Sequence, residues 1–263
     1  MTLNGGATLA VAALLLGACA SLPDAPAAPA VTLSGYLPDT IGEQLATAIL
    51  PGPSGVSSQD RAGSDRYRRL EGGDRWLMAI AHAELRPPYV AQHFDCAVGA
   101  RLTAEPMPAL TRLMTRLQLD ALAVGTIARD RNPRPRPAAL DPQRRVCLRL
   151  TAAGRASPSW PSIPAAVGTA YGDLFSSLVP ERSEAIQRVG REIGLSRAVC
   201  ALDWPGDVTA GQRLGHAVHA AAAATPAFQA DLALARAEVS AARTPGLESP
   251  GCAAERRLFF APT

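Results

Sequence analysis

Ala109-Leu110-Thr111-Arg112-Leu113-Met114-Thr115-Arg116-Leu117-Gln118-Leu119-Asp120-Ala121-Leu122-Ala123-Val124-Gly125-Thr126-Ile127-Ala128 is the stretch whose pattern decides the fold class. Its apolar positions Leu110, Leu113, Met114, Leu117, Ala121, Val124 and Ala128 recur with a period of about 3.6, so they share one face of a helix. Downstream, Val167, Ala170, Tyr171, Leu174, Phe175 and Leu178 repeat that spacing until Pro180 ends it. Ala185, Ile186, Val189, Ile193 and Val199 make a third stripe. Asp207 is placed to cap a fourth helix carrying Val208, Gly211, Leu214 and Val218. Thr225-Pro226 has the form of an N-cap followed by proline at the first helical position, opening a fifth helix with Phe228, Leu232, Ala235 and Val239. Pro87-Pro88 marks a break upstream of a further helix, and residues 129–160, rich in Pro and Arg, are expected to form a long loop. Strand-like alternation is hard to find after residue 40, and no internal repeat or second domain emerges. The expected fold is all-α, a single helical-bundle domain.

Composition narrows the class further. The chain of 263 residues is 48% apolar and 19% charged, which excludes wholesale disorder. No apolar run after residue 20 approaches the ~18 residues of a membrane-spanning helix. All 26 basic residues are Arg, and a net charge of +3 with 5% aromatic residues excludes nucleic acid as the expected partner.

The start of the chain reads as a processing signal. Residues 9–18 are apolar over a signal-peptide length and run directly into Cys19. Leu16-Gly17-Ala18-Cys19 resembles the bacterial lipobox, in which the cysteine is lipidated and becomes the first mature residue. Met1 to Gly6 carry no basic residue, which departs from the usual positive leader. The expected division is a lipoprotein-type signal peptide at 1–18, a flexible tether at 19–35, a helical domain at 36–245 and a C-terminal tail at 246–263. That places the chain in a bacterial cell envelope, as a periplasmic lipoprotein anchored at the outer membrane. Its contact with the membrane would run through the lipid on Cys19 alone. With Cys19 so assigned, Cys96, Cys147, Cys200 and Cys252 remain, an even number in an oxidising compartment. Four cysteines allow three pairings, and no spacing here suits a zinc site. Structural disulfides are expected, with no metal and no cofactor.

Three blocks carry chemistry. The first is Arg129-Asp130-Arg131-Asn132-Pro133-Arg134-Pro135-Arg136-Pro137. The second is Trp160-Pro161-Ser162-Ile163-Pro164, and the third is Ser196-Arg197-Ala198-Val199-Cys200-Ala201-Leu202-Asp203-Trp204-Pro205-Gly206-Asp207. In order and spacing they resemble the signature of the class A bacterial acid phosphatases, in the type 2 phosphatidic acid phosphatase and vanadium haloperoxidase superfamily. That signature is Lys, six residues, Arg-Pro; then Pro-Ser-Gly-His; then Ser-Arg, five residues, His, three residues, Asp. Tyr36-Leu37-Pro38 is similar to the opening of the family domain, so the resemblance covers roughly residues 36 to 242.

The resemblance implies an arginine-lined oxyanion pocket. Arg129, which stands where the family has Lys, would bind phosphate with Arg136, Arg197, Ser162 and the Ile163 backbone N–H. Such donors stabilise the charge spread over a phosphoryl group in transfer. The resemblance also marks a departure. Asp203 stands at the position of the nucleophilic histidine, and Pro164 at that of the general-acid histidine. Asp207 matches the residue that orients the nucleophile. Loss of a general acid alone typically costs ~10²–10⁴ in rate. His82, His93, His216 and His219 lie in none of the three blocks and read as core or helix-surface residues. An ionised Asp203 is expected to pair with Arg136 or Arg197 and fill the pocket itself. The implied protein is an exported, catalytically impaired acid phosphatase relative that binds phosphate or a phosphomonoester weakly. The alternatives are a working phosphomonoesterase that uses Asp203, and a structural or partner-binding envelope lipoprotein on the same scaffold. Cys147 and Cys200 fall where the family has cysteines beside its active-site blocks. The resemblance therefore implies that they pair, which leaves Cys96 for Cys252.

Overall fold

The computed structural model describes residues 33–49, 51–243, 249 and 251–260. The expected signal peptide, Cys19 and the tether up to residue 32 lie outside the described residues. Twelve α-helices and no strand occur among them. They are α1 (Asp39–Ala48), α2 (Ser58–Arg66), α3 (Asp74–Ala81), α4 (Asp95–Val98), α5 (Pro108–Arg131), α6 (Pro137–Leu140), α7 (Ala152–Ala156), α8 (Ile163–Leu178), α9 (Ser183–Val199), α10 (Pro205–Ala223), α11 (Pro226–Ala242) and α12 (Cys252–Phe260). The helical stripes read from the sequence are the buried faces of α5, α8, α9, α10 and α11. The expected loop at 129–160 is shorter, because α5 runs to Arg131 and two short helices, α6 and α7, punctuate it. The expected C-terminal tail carries α12, which a disulfide ties to the body of the domain.

α8 is the central helix. It is apolar on nearly every side, as a helix surrounded by others must be, and it packs against α9, α10 and α5. Phe175 on this helix stacks on Phe94 with ring centroids 4.6 Å apart. Glycines let the neighbouring backbones approach closely. A Cβ on Gly190 of α9 would lie 2.7 Å from the Gly168 carbonyl oxygen of α8, and one on Gly211 of α10 only 2.1 Å from that of Ser162. These contacts bring the start of α8 and the start of α10 together, and two of the three sequence blocks sit there.

The chain enters the bundle at Tyr36. Its hydroxyl donates to Asp231 at 2.8 Å, its N–H to Asp120 at 2.8 Å, and the Arg116 guanidinium stacks 3.9 Å from its ring centroid. Arg116 also donates to the Ser34 and Gly35 carbonyls, so the last residues of the expected tether are already held against α5.

An alanine in place of a helical glycine ordinarily stabilises by about 1 kcal/mol. At Gly211 we expect the opposite sign, a loss of about 2 kcal/mol from overpacking against Ser162. At Gly172, where a Cβ would meet nothing closer than 3.5 Å, we expect no loss. Urea midpoints of Gly211→Ala and Gly172→Ala check both.

Candidate functional site

The third block is shaped by the end of α9. Ala201 adopts a left-handed conformation at φ 54°, a position usually given to glycine because a Cβ is strained there. The Leu202 N–H then bonds back to the Arg197 carbonyl at 3.0 Å and the Ala201 N–H to that of Ala198 at 3.0 Å, which closes the helix. This turn folds Asp203 back over Arg197, six residues earlier. Cys200, in the same turn, is bonded to Cys147, with Cα atoms 5.0 Å apart, which ties the turn to the loop after α6. Cys96 is bonded to Cys252.

Asp203 is fully buried, and donors from all three blocks converge on it or beside it. Arg136 donates to Oδ1, and Arg197 Nε donates to Oδ2 at 3.0 Å. The Ser162 hydroxyl donates to Oδ2 at 2.7 Å and accepts from the Ala165 N–H at 3.3 Å, so it caps α8 and binds the carboxylate at once. Burial alone would raise the Asp203 pKa, but Arg197, Arg136 and the Ser162 hydroxyl outweigh it and hold the carboxyl below its usual range.

The arginines differ in how they are engaged. Arg136 is nearly saturated by protein, since it also donates to the Leu202 carbonyl at 2.7 Å, that of Pro158 at 3.0 Å and the Ser157 hydroxyl at 3.1 Å. Arg129 donates instead to the Pro161 carbonyl at 3.3 Å, and its Nε is buried with no partner. Burial, then the positive charges of Arg136 and Arg197, lower the Arg129 pKa, while Asp203 works the other way. Ile163 is the first residue of α8, so its N–H is one of the unpaired donors at a helix start. Pro164 is the second, and its ring presents no group able to donate or accept a proton.

Asp207 is not the N-cap of α10, as the sequence suggested; Trp204 is, and Asp207 reaches back to the Trp204 N–H at 2.8 Å. Its other oxygen accepts from Arg134. Arg134 also donates to Asp60 at 2.5 Å, and Asp60 accepts the Gly206 N–H at 2.9 Å. Burial pushes the Asp207 pKa up to about 6, against the pull of Arg134 and the Trp204 N–H. Sequence reasoning missed Arg134 and Asp60. Arg134 sits inside the first block, but nothing in its spacing separates it from its exposed neighbours; Asp60 belongs to no motif. A cleft of about 710 Å³ opens beyond this pair, walled by Asp60, Arg134 and Trp160, and Asp203, Arg129, Arg136 and Arg197 do not line it.

The histidines lie elsewhere. His82 is buried against the Ser196 hydroxyl at 2.8 Å, with its ring centroid 5.1 Å from that of His93. His216 bonds Asp173 at 2.6 Å. Among the described residues no group of three His, Cys, Asp or Glu side chains could hold a metal ion.

No family model matches the chain. Curated proteins do. An acid phosphatase of Zymomonas mobilis is 30% identical over 193 residues, 73% of this chain and 72% of that protein. A non-specific acid phosphatase of Providencia stuartii is 30% identical over 196 residues, 73% of this chain and 79% of that protein. One from Salmonella typhimurium is 29% identical over 172 residues.

Removing the Asp203 charge leaves the arginines uncompensated in the interior. Breaking a buried pair by removing one partner costs about 3–5 kcal/mol, and we expect Asp203→Asn to fall in that range at pH 7. Because the folded-state pKa is depressed, the contribution of Asp203 is fully present above the ordinary carboxylate value of about 3.9 and lost only as pH falls through the lower folded value. The stability gap between wild type and Asp203→Asn should therefore hold from pH 7 to about pH 4. Urea unfolding across that window measures it, and a gap already halved at pH 5 would contradict this electrostatic account.

Proposed function

We propose that this chain, which belongs to the bacterial acid phosphatase family, is an exported phosphatase-like protein that retains an arginine-lined oxyanion pocket but occupies it with its own carboxylate. One observation carries the reading: Asp203, fully buried, takes the hydrogen bonds of Arg136, Arg197 and Ser162 that an oxyanion would otherwise receive. On this reading Asp203 stands where relatives carry a nucleophilic histidine and Pro164 where they carry the general acid. Arg129 and the Ile163 N–H complete the donor set, and Asp207 keeps an architectural role, bound to Arg134 and the start of α10.

The same geometry weighs against Asp203 as a substitute nucleophile. Both of its oxygens accept charge-assisted hydrogen bonds, and the carboxyl has no exposed surface for a substrate to reach. A carboxylate held at a low pKa by cations is also a weaker nucleophile than a free one. No side chain at position 164 can protonate a leaving oxygen. Hydrolysis of phosphomonoesters should therefore be slow or absent. The internal carboxylate cancels part of the arginine charge, so external phosphate should bind weakly. The proposal includes the lipoprotein reading of Cys19 and a periplasmic location, with no cofactor and no nucleic acid partner. Among the described residues no helix is long and apolar enough to cross a membrane.

Three measurements test this reading. Wild-type protein given 4-nitrophenyl phosphate between pH 4 and 7 should hydrolyse it at background, far below the ~1–10³ per second typical of enzymes. Millimolar phosphate or vanadate should raise the wild-type melting temperature only slightly, and that of Asp203→Ser clearly, because the emptied donors then accept the anion. Asp203→His with Pro164→His should recover turnover that neither change recovers alone, since nucleophile and acid act as a unit. Enzyme-like turnover by the unmodified protein would refute the reading.

A further inference from the structure

A second cluster of ionisable groups lies outside the oxyanion pocket, under α12. The Cys96–Cys252 disulfide, with Cα atoms 5.4 Å apart, fastens the first residue of this helix to α4. Two carboxyls flank that bond. Asp95 precedes Cys96, is 7% exposed and accepts the Leu102 N–H at 2.9 Å. Glu255 lies one helical turn beyond Cys252 and faces inward, half-buried, on the same side as Cys252 and Phe259. Both carboxyls line one cleft of about 460 Å³.

We propose that α12 is a strap that docks in acid and loosens toward neutral pH, swinging about the Cys96–Cys252 bond as Asp95 and Glu255 become charged together.

The groups packed against Glu255 leave its charge poorly compensated. On α4 it faces Asp95, whose negative charge opposes it. From α3 and the turn at Tyr89–Phe94, His82 and His93 line the cleft, and burial lowers the pKa of both, which works against either ring supplying a positive charge. Arg101 lines the cleft beside Asp95, and Arg256 on α12 itself favours the Glu255 charge. From α9, Arg188 is spent in part on the Phe259 carbonyl at 3.5 Å, and from α3, Arg75 lies 6.0 Å from the Phe259 ring and pairs with Glu192. The balance favours the protonated acids. Burial and Asp95 push Glu255 up to about 7, and burial pushes Asp95 up to about 6.

The sign follows from linkage. A carboxyl whose pKa is raised by docking favours the docked helix below its free value, about 4.5, and disfavours it increasingly until pH passes the docked value near 7. Loosening at its far end lifts Phe259 from the His82 ring, 5.9 Å away, and opens the cleft to solvent. The disulfide keeps the helix from leaving.

Hydrogen exchange on the disulfide-intact full chain tests this, with protection in residues 252–260 corrected for the intrinsic pH dependence of exchange. Between pH 5 and pH 8 we expect wild-type protection to fall on the order of tenfold, after allowing for solvent screening of a half-exposed group. In Glu255→Gln, where Asp95 alone can still become charged, the fall should be clearly smaller, and in Asp95→Asn with Glu255→Gln protection should stay level across the same range. Unchanged wild-type protection, an equal fall in Glu255→Gln, or no protection in this segment at any pH would each overturn the proposal. Protection in α8, read in the same experiment, should not move in any of these proteins.

Discussion

Guanidinium groups crowded in a protein interior repel one another, and each has lost the water that would hydrate it. Such a cluster persists only where a counter-charge is built in with it. Here that counter-charge is Asp203, which Arg136 and Arg197 grip from two sides and Ser162 from a third. The three blocks of sequence lie far apart along the chain, and this one carboxylate draws a residue from each of them to a single point. A phosphate in such a site would be a dissociable anion; Asp203 is covalently part of the chain and cannot leave. The site is therefore an electrostatic keystone of the fold.

Holding that carboxylate in place takes several devices acting together. The glycines of α8, α9 and α10 let backbones approach until carbonyl oxygens occupy the space a Cβ would need. That brings Ser162 beneath the start of α10, where its N–H bonds the Asp207 carbonyl at 3.0 Å. The left-handed turn at Ala201 reverses the chain within six residues of Arg197, and the disulfide at Cys200 fixes the turn from outside. A second buried ion cluster, Asp60 with Arg134 and Asp207, braces the first from behind. Two neighbouring arginines of one loop thus serve different carboxylates, Arg134 holding Asp207 and Arg136 holding Asp203.

The Asp203 cluster and the carboxyl pair under α12 show one principle with opposite results. Asp203 is the most deeply buried of these acids, yet its pKa falls, because cations surround it. Asp95 and Glu255 are less buried, yet their pKa values rise, because few cations oppose the cost of desolvation. Burial alone decides neither case; the sign depends on what charge is buried alongside.

Much of the architecture was legible in the amino-acid order. Helical stripes such as Leu110 to Ala128 depend only on the period of the helix, a local property, and the buried faces of α5 and α8 follow them. The residue types around Asp203 were likewise visible, since the spacing from Arg129 to Arg136 and from Arg197 to Asp203 and Asp207 is one-dimensional information. Tertiary structure alone decided the partners. That Asp203 takes both Arg136 and Arg197, that Arg134 turns to Asp207 and Asp60, and that Arg129 Nε is left without a bond depend on which helices approach within hydrogen-bonding distance. Local patterning sets which face of a helix is apolar, whereas the pairing of charges is set by distances between segments remote in the chain, as between Arg134 and Asp60, 74 residues apart. Spacing along the chain does not encode those distances.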